Sequence, residues 1–186
     1  MSTRICAIAA CCEGGGIGKN GDLPWRLRKE LQYFGRMTCR VSQEGRQNAV
    51  LMGRKTWDSM PAKMKPLRHR INYVLTKSDL TLPGAITCKS LEEALSDFEK
   101  RGDAVETFWV IGGHAAYELA FASASFYRLY LTRIHASYDC DAFLPAIPVD
   151  LTSVSDPDVS SEVQEENGIK YHFEVLERPA VFGAKQ

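Results

Sequence analysis

Three apolar runs in this chain give way to glycine and then to helix-forming sequence, and that recurrence restricts the possible folds more than any other feature. Residues 4–11 precede the glycine-rich stretch 13–21. Asn48-Ala49-Val50-Leu51-Met52 ends at Gly53, and Thr107-Phe108-Trp109-Val110-Ile111 runs into Gly112-Gly113. Apolar runs of this length bounded by turn residues are buried strands. Helical stretches follow each: Arg26–Cys39, Arg54–Met60 (stopped by Pro61) and His114–Ala122. Further strands are expected at 71–76, 85–88, 127–135 and 170–177. Ser90 is placed as N-cap of a helix Leu91–Lys100, with Glu93 at the capping-box position. Residues 40–48 read as a polar loop and Val181–Gln186 as a frayed end. Alternating strands and helices predict an α/β fold with a mostly parallel central sheet flanked by helices. The strands that close the sequence predict a C-terminal antiparallel strand or hairpin. With 186 residues, no repeat and no break in composition, one domain spanning 1–186 is expected.

Several function classes drop out early. The 23 basic and 23 acidic residues cancel, so the chain lacks the basic excess of an electrostatic nucleic-acid binder. No apolar run approaches the roughly 18 residues that suggest a membrane span. Arg4 followed by Ile5–Cys12 has the length of a short secretion-signal core. The glycine loop that would then open the mature chain favours a buried first strand instead. Cys6, Cys11, Cys12, Cys39, Cys88 and Cys140 form no C-x-x-C pair and join no His-x-x-x-His spacing. Neither a metal site nor a disulfide framework is expected, and free thiols in a reducing, cytoplasmic setting fit best.

The first helix carries the most pointed chemical signal. Leu27, Leu31, Phe34 and then Met37 or Val41 recur at helical spacing, and Glu30 falls on the same face. A carboxylate among apolar neighbours needs a partner or a proton. It is either an internal ion pair on a half-exposed helix or the polar wall of a ligand pocket. Gly16, Gly18 and Gly21 match G-x-G-x-x-G, but Asp22-Leu23-Pro24-Trp25 follows where a dinucleotide fold would start a helix. Lys19-Asn20 breaks the phosphate-loop pattern as well. A mobile loop over a site and a plain surface turn both remain open. Gly53-Arg54-Lys55-Thr56 and Gly112-Gly113 each sit where a strand enters a helix, and free helix N–H groups there suit phosphate. Ordinary sheet-to-helix turns would look the same. The basic run Lys63, Lys65, Arg68, His69, Arg70 is a solvated loop, or one arginine in it grips an anionic substrate tail.

Four segments in this order and spacing make the chain resemble eukaryotic dihydrofolate reductases over nearly its whole length. They are Gly16-Ile17-Gly18-Lys19-Asn20-Gly21-Asp22-Leu23-Pro24-Trp25, Met52-Gly53-Arg54-Lys55-Thr56-Trp57, Val110-Ile111-Gly112-Gly113 and Leu131-Thr132-Arg133-Ile134. The resemblance implies a monomeric cytoplasmic enzyme that reduces 7,8-dihydrofolate with NADPH, binds antifolate inhibitors, and needs no metal, membrane or nucleic acid. It implies that Glu30 holds the pterin, that Thr132 bonds Glu30 from a facing strand, and that Trp25 positions an ordered water. Leu23, Leu31 and Phe34 would pack on the substrate rings, and Ile8 and Ile111 would border the pterin with their carbonyls. Met60, Leu67 and Tyr117 would complete the substrate wall, and Arg70 would clamp the tail carboxylate. For the cofactor it implies Ala10, Ile17 and Gly18 near the nicotinamide. Gly53, Lys55, Thr56 and a cis-linked Gly112-Gly113 would serve the pyrophosphate. Arg54, Thr76, Lys77 and Lys89 would serve the 2′-phosphate, whose charge favours NADPH over NADH. Leu31 departs from the aromatic residue common in the family, the loop after Trp25 is one residue shorter than in vertebrate members, and Met60 and Met64 lie near the rim. These departures bear on inhibitor preference. Two alternatives are a reductase of another pterin or of a pyrimidine intermediate on the same fold, and a non-catalytic NADPH- or RNA-binding regulator.

Overall fold

A computed structural model describes residues 3–180, so the frayed end expected at Val181–Gln186 lies outside the described residues. The first apolar run is strand β1 (Ile5–Cys11), and it is central, with parallel neighbours on both sides. A secretion-signal core would have no such partners. Chain order continues with β2 (Gly16–Gly18), α1 (Arg28–Cys39), β3 (Gln47–Gly53), α2 (Arg54–Ser59), β4 (Arg70–Leu75), β5 (Ile86–Cys88), α3 (Leu91–Lys100), β6 (Val105–Gly112), α4 (His114–Ala122) and β7 (Phe126–Ile134). It closes with β8 (Ala142–Phe143), β9 (Thr152–Ser153), β10 (Gln164–Glu166) and β11 (Ile169–Glu177).

The main sheet runs β10-β11-β7-β1-β6-β3-β4-β5, with β9 pairing beside β11. The pairs from β7 across to β5 are parallel, and β11 and β10 return antiparallel. The predicted parallel sheet with a late antiparallel element is therefore the observed one. Strand alternation sorts the core into two layers. Ile5, Ala7, Ala9 and Cys11 face α3 and α4, where Phe98, Phe108, Ala116 and Phe121 are buried. Cys6 and Ile8 face α1 and α2 with Tyr33, Met37, Trp57 and Trp109.

Three sequence expectations need correction. Residues 13–21 are not a shapeless loop: Glu13–Gly15 makes a 3-10 turn and β2 pairs antiparallel with β8. Gly14, Gly15 and Gly21 have positive φ, which explains the glycine content. The first helix starts at Arg28, two residues late, because its free N–H groups are capped from elsewhere. Its sheet-facing stripe is Glu30, Tyr33, Met37 and Thr38. Leu31, assigned to the apolar stripe, is 47% exposed; it stands beside the buried line, not on it. Ser90 does cap α3, its Oγ accepting the Glu93 N–H at 3.1 Å. The Glu93 carboxylate returns to the Lys89 N–H at 2.6 Å, one residue before the box position.

Candidate active site

Packing brings two of the predicted catalytic residues, Glu30 and Thr132, into contact. On β7, Thr132 pairs with Ala10 of β1 on one side and Phe173 of β11 on the other. Its hydroxyl donates to Glu30 Oε1 at 2.9 Å, across from α1. Glu30 is 7% exposed and forms no ion pair among the described residues, so the internal salt bridge is excluded. Oε2 accepts no protein hydrogen bond, yet it is not among the sealed polar atoms. One oxygen is thus anchored and the other is free for a ligand.

Glu30 occupies the third helical position of α1, where the helix dipole favours a negative charge. Burial outweighs that advantage: it raises the Glu30 carboxyl above its usual range, the Thr132 bond offsets part of the rise, and the negative charge of Glu166 adds to it. Glu166 is also what starts α1. Its two oxygens accept the Arg28 and Lys29 N–H groups at 2.6 and 2.8 Å. A residue on β10 therefore fixes the helix that carries Glu30. Glu166→Ala is expected to cost about 1 kcal/mol of stability, the usual value of a cap. It should also lower the Glu30 pKa; urea unfolding and carboxyl titration by NMR would read the two effects.

The apolar wall gathers on the α1/α2 face. Ile8, Phe34, Met60, Leu67 and Ile111 all pack on one cluster there. Ile111 follows Val110, the partner of Ala7, so it stands beside Ile8 at the strand ends. Leu23 and Leu31 lie open to solvent, at 45% and 47% exposure. Tyr117 does not line this wall. It is buried in the cluster on the opposite face, and only its hydroxyl reaches through, donating to the Ile8 carbonyl at 2.8 Å. Trp25 is buried near Cys12, Leu27, Ile134 and Tyr171. Its indole N–H is buried and meets no protein acceptor among the described residues.

Arg70 is half-buried and holds no carboxylate among the described residues. Its Nε donates to the Arg68 carbonyl at 2.9 Å and its Nη1 to Thr38 Oγ1 at 2.8 Å. Burial opposes the guanidinium charge, but an arginine keeps its proton in any case. The result is a cation held by two neutral acceptors and paired with no carboxylate among the described residues. Lys65 is spent elsewhere, on the Trp57 carbonyl at 2.8 Å. Two residues that carried no sequence signal shape this corner. Asn72 bonds both the N–H and the carbonyl of Leu67 and the carbonyl of Arg70, all at 2.9 Å. Thr38 Oγ1 donates to the Phe34 carbonyl at 2.8 Å while accepting from Arg70.

The two glycine junctions stand side by side, because β3 and β6 are neighbours and Met52 pairs with Gly112. Gly112-Gly113 is a cis peptide, as the family pattern implies. A Cβ on Gly113 would lie 3.4 Å from Thr56 Oγ1, and one on Gly53 would lie 3.9 Å from the Gly113 nitrogen. No side chain stands at these three positions, where α2 and α4 begin. Lys55 is exposed and forms no ion pair among the described residues. Thr76, Lys77 and Lys89 collect where β4 and β5 end, since Leu75 pairs with Cys88. Part of their charge is already met: Lys89 binds Asp79 at 2.6 Å, and Arg54 binds Asp58 at 2.8 Å. Ala10 and Ile17 are half-buried and Gly18 is buried, next to the β2–β8 pair. His114, which opens α4, ties that pair to the junction through Nδ1, 2.7 Å from the Phe143 carbonyl. A carbonyl only accepts, so Nδ1 carries the proton.

Architecture and site together place the chain among the α/β enzymes that seat a nucleotide cofactor across the carboxyl edge of a parallel sheet. Comparison narrows the class. A family profile described as Dihydrofolate reductase matches residues 4–178. The curated Dihydrofolate reductase of Drosophila melanogaster is 46% identical over 179 residues, covering 94% of this chain and 98% of that protein. That of Rattus norvegicus is 46% identical over 185 residues, covering 96% and 99%. The solved structure of Schistosoma mansoni Dihydrofolate reductase superposes with a TM-score of 0.85 at 33% identity, over 96% of this chain and 100% of that one. The chain belongs to the dihydrofolate reductase family.

Proposed function

We propose that this protein reduces 7,8-dihydrofolate to 5,6,7,8-tetrahydrofolate with NADPH, in one-carbon and nucleotide-precursor metabolism. The observation that carries the proposal is Glu30, a carboxylate buried without a cation and held by Thr132 at the end of β7. A pterin ring presents an amino group and an adjacent ring N–H that two carboxylate oxygens can accept, and Oε2 is left free for that task. Ile8, Phe34 and Ile111 supply the apolar faces. Tyr117 holds the Ile8 carbonyl in place from behind the sheet.

The cofactor junctions fit a dinucleotide, because the glycines put backbone without side chains at both helix starts and Lys55 and Thr56 add a cation and a hydroxyl there. When bound, the cofactor supplies the hydride. The chain itself orients, excludes water and manages a proton. Glu30 fixes the ring orientation, and burial, which raises its carboxyl above the usual range, favours the protonated form more than in an exposed glutamate while N5 gains its proton. Trp25 offers its sealed N–H to a water beside that carboxyl. The β2–β8 pair forms the cover over Ala10. Arg54, Thr76, Lys77 and Lys89 select NADPH through the 2′-phosphate, and charge retained after the Asp58 and Asp79 pairings sets the strength of that preference.

Steady-state NADPH oxidation with dihydrofolate tests the proposal directly, and folded protein without turnover rejects it. Arg70 separates folate from other pterins. Arg70→Leu is expected to raise KM for dihydrofolate about 10- to 100-fold, the loss of a charged hydrogen bond worth roughly 1.5–3 kcal/mol. Turnover of a pterin without a glutamate tail should stay the same. Equal effects on both substrates would favour a reductase of simpler pterins.

A further inference from the structure

We propose that Cys12 and Cys140 form a reversible disulfide that pins the β2–β8 cover of the active site. All six cysteines are free thiols, and the sulfurs of Cys12 and Cys140 lie 3.8 Å apart, 128 residues distant in sequence. Cys12 follows β1 and Cys140 precedes β8, so the pair spans the strand that feeds the substrate wall and the strand that holds the cover. Gly16 of β2 lies between them. A Cβ there would sit 2.4 Å from Cys140 Sγ and 3.0 Å from Cys12 Sγ. The glycine is therefore what lets both sulfurs close over the cover's backbone. Cys11 points into the opposite face of the sheet and does not compete for this contact.

Bonding requires the sulfurs to close from 3.8 Å to about 2.05 Å. Cys140 is half-buried and Cys12 is buried, so a small peroxide meets Cys140 first. The Cys140 thiolate attacks one peroxide oxygen, the O–O bond breaks, and hydroxide leaves, giving a sulfenic acid. Cys12 sulfur then attacks the Cys140 sulfur and expels the second hydroxide. Two thiols and one hydrogen peroxide become one disulfide and two waters. Burial and the neighbouring Cys12 raise the Cys140 thiol above its ordinary value, so the reaction quickens as pH rises above neutrality. A thiol reductant reverses it by exchange.

Four backbone hydrogen bonds make the cover sensitive to this bond. Cys12 N–H donates to the Gly16 carbonyl at 3.0 Å, Asp141 N–H to Gly18 at 3.0 Å, Leu144 N–H to Gly15 at 2.9 Å, and Gly15 N–H to Cys12 at 3.0 Å. A covalent tie across them holds the glycine segment in one arrangement, so steps that need it to move slow down.

The test treats the full-length protein with hydrogen peroxide, then uses peptide mass mapping without reduction. The expected product is a Cys12–Cys140 cross-linked peptide pair with loss of two hydrogens, absent from Cys140→Ser and restored to thiols by dithiothreitol. Gly16→Ala should also abolish it by forcing the sulfurs apart. A peroxide-treated protein in which these two cysteines remain thiols, or pair with others, overturns the proposal. The covalent result does not depend on the proposed activity. The consequence for catalysis does rest on that activity: turnover should fall about tenfold on oxidation, recover on reduction, and stay unchanged in Cys140→Ser. A cross-link without loss of turnover would overturn the control of the cover while leaving the modification site in place.

Discussion

Glu30→Gln is expected to lower kcat/KM for dihydrofolate at neutral pH by about 10²- to 10⁴-fold, the range supplied by a positioned acid or base. The same substitution should make the protein more resistant to unfolding at that pH. An amide keeps the shape and can still meet the Thr132 hydroxyl. It cannot accept from a pterin with both terminal atoms, and it neither takes nor gives a proton. The stability gain follows from linkage. Burial raises the folded-state pKa of Glu30 above its unfolded value, so the folded protein binds more protons between those two pKa values. Stability from this group is full below the unfolded pKa and is lost as pH rises through the folded one. Removing the carboxyl removes that loss. Unfolding curves across the acid-to-neutral range should therefore be flatter in Glu30→Gln than in the parent. A variant that loses both activity and stability would mean that Glu30 is a structural group. In the parent, kcat/KM should fall as pH rises through the raised Glu30 pKa, and that break should vanish in the amide variant.

Gly112→Ala is expected to be the most damaging single-methyl change in the site. Gly112 has φ of +120°, a region that costs an L-residue about 1–3 kcal/mol. Its added Cβ would also press within 3.3 Å of the Tyr117 hydroxyl. That hydroxyl holds the Ile8 carbonyl, a bond worth about 0.5–1.5 kcal/mol. The strain therefore falls on the cofactor junction and on the substrate wall together. The melting temperature should drop by roughly 5–15 °C, and NADPH should bind at least about tenfold more weakly. Gly168→Ala is the control. Gly168 has φ of +75°, but no atom lies within 4 Å of its added Cβ, and it sits in the β10–β11 turn. It should lose stability and keep cofactor affinity. Tyr117→Phe isolates the hydrogen bond from the backbone effect. Equal NADPH affinity in Gly112→Ala and the parent would count against this junction as the cofactor seat.

Local patterns carried most of the fold. Apolar runs ending on glycine located β1, β3 and β6, and the Ser90 signal located α3 to the residue. Periodicity put Glu30 inward, although the line beside it was misplaced by one residue, so Leu31 was assigned to a face it does not share. Asn167 and Gly168 both have positive φ, and an Asn-Gly pair between strand-like segments marks a tight hairpin. That pair would have placed β10, and with it Glu166. The two-residue strands β8 and β9 left no signal, because their pairing depends on β2 and β11, far away in sequence. The same distance hides the cap of Glu166 on α1 and the contact between Cys12 and Cys140. Resemblance paired Thr132 with Glu30, the contact that the structure holds at 2.9 Å, and the roles it implies for Arg70 and the glycine junctions belong to the proposed function. It placed Tyr117 on the wall, whereas the side chain acts from behind the sheet.

The central claim is that hydride passes directly to a substrate held by Glu30. NADPH carrying deuterium in the transferable C4 position, mixed with dihydrofolate and excess protein in a single turnover, measures that event. The account predicts one deuterium at C6 of tetrahydrofolate, formed quickly by the parent and far more slowly by Glu30→Gln. Folded protein that binds both ligands and yields no labelled product, or labels it equally fast without the Glu30 carboxyl, would contradict it.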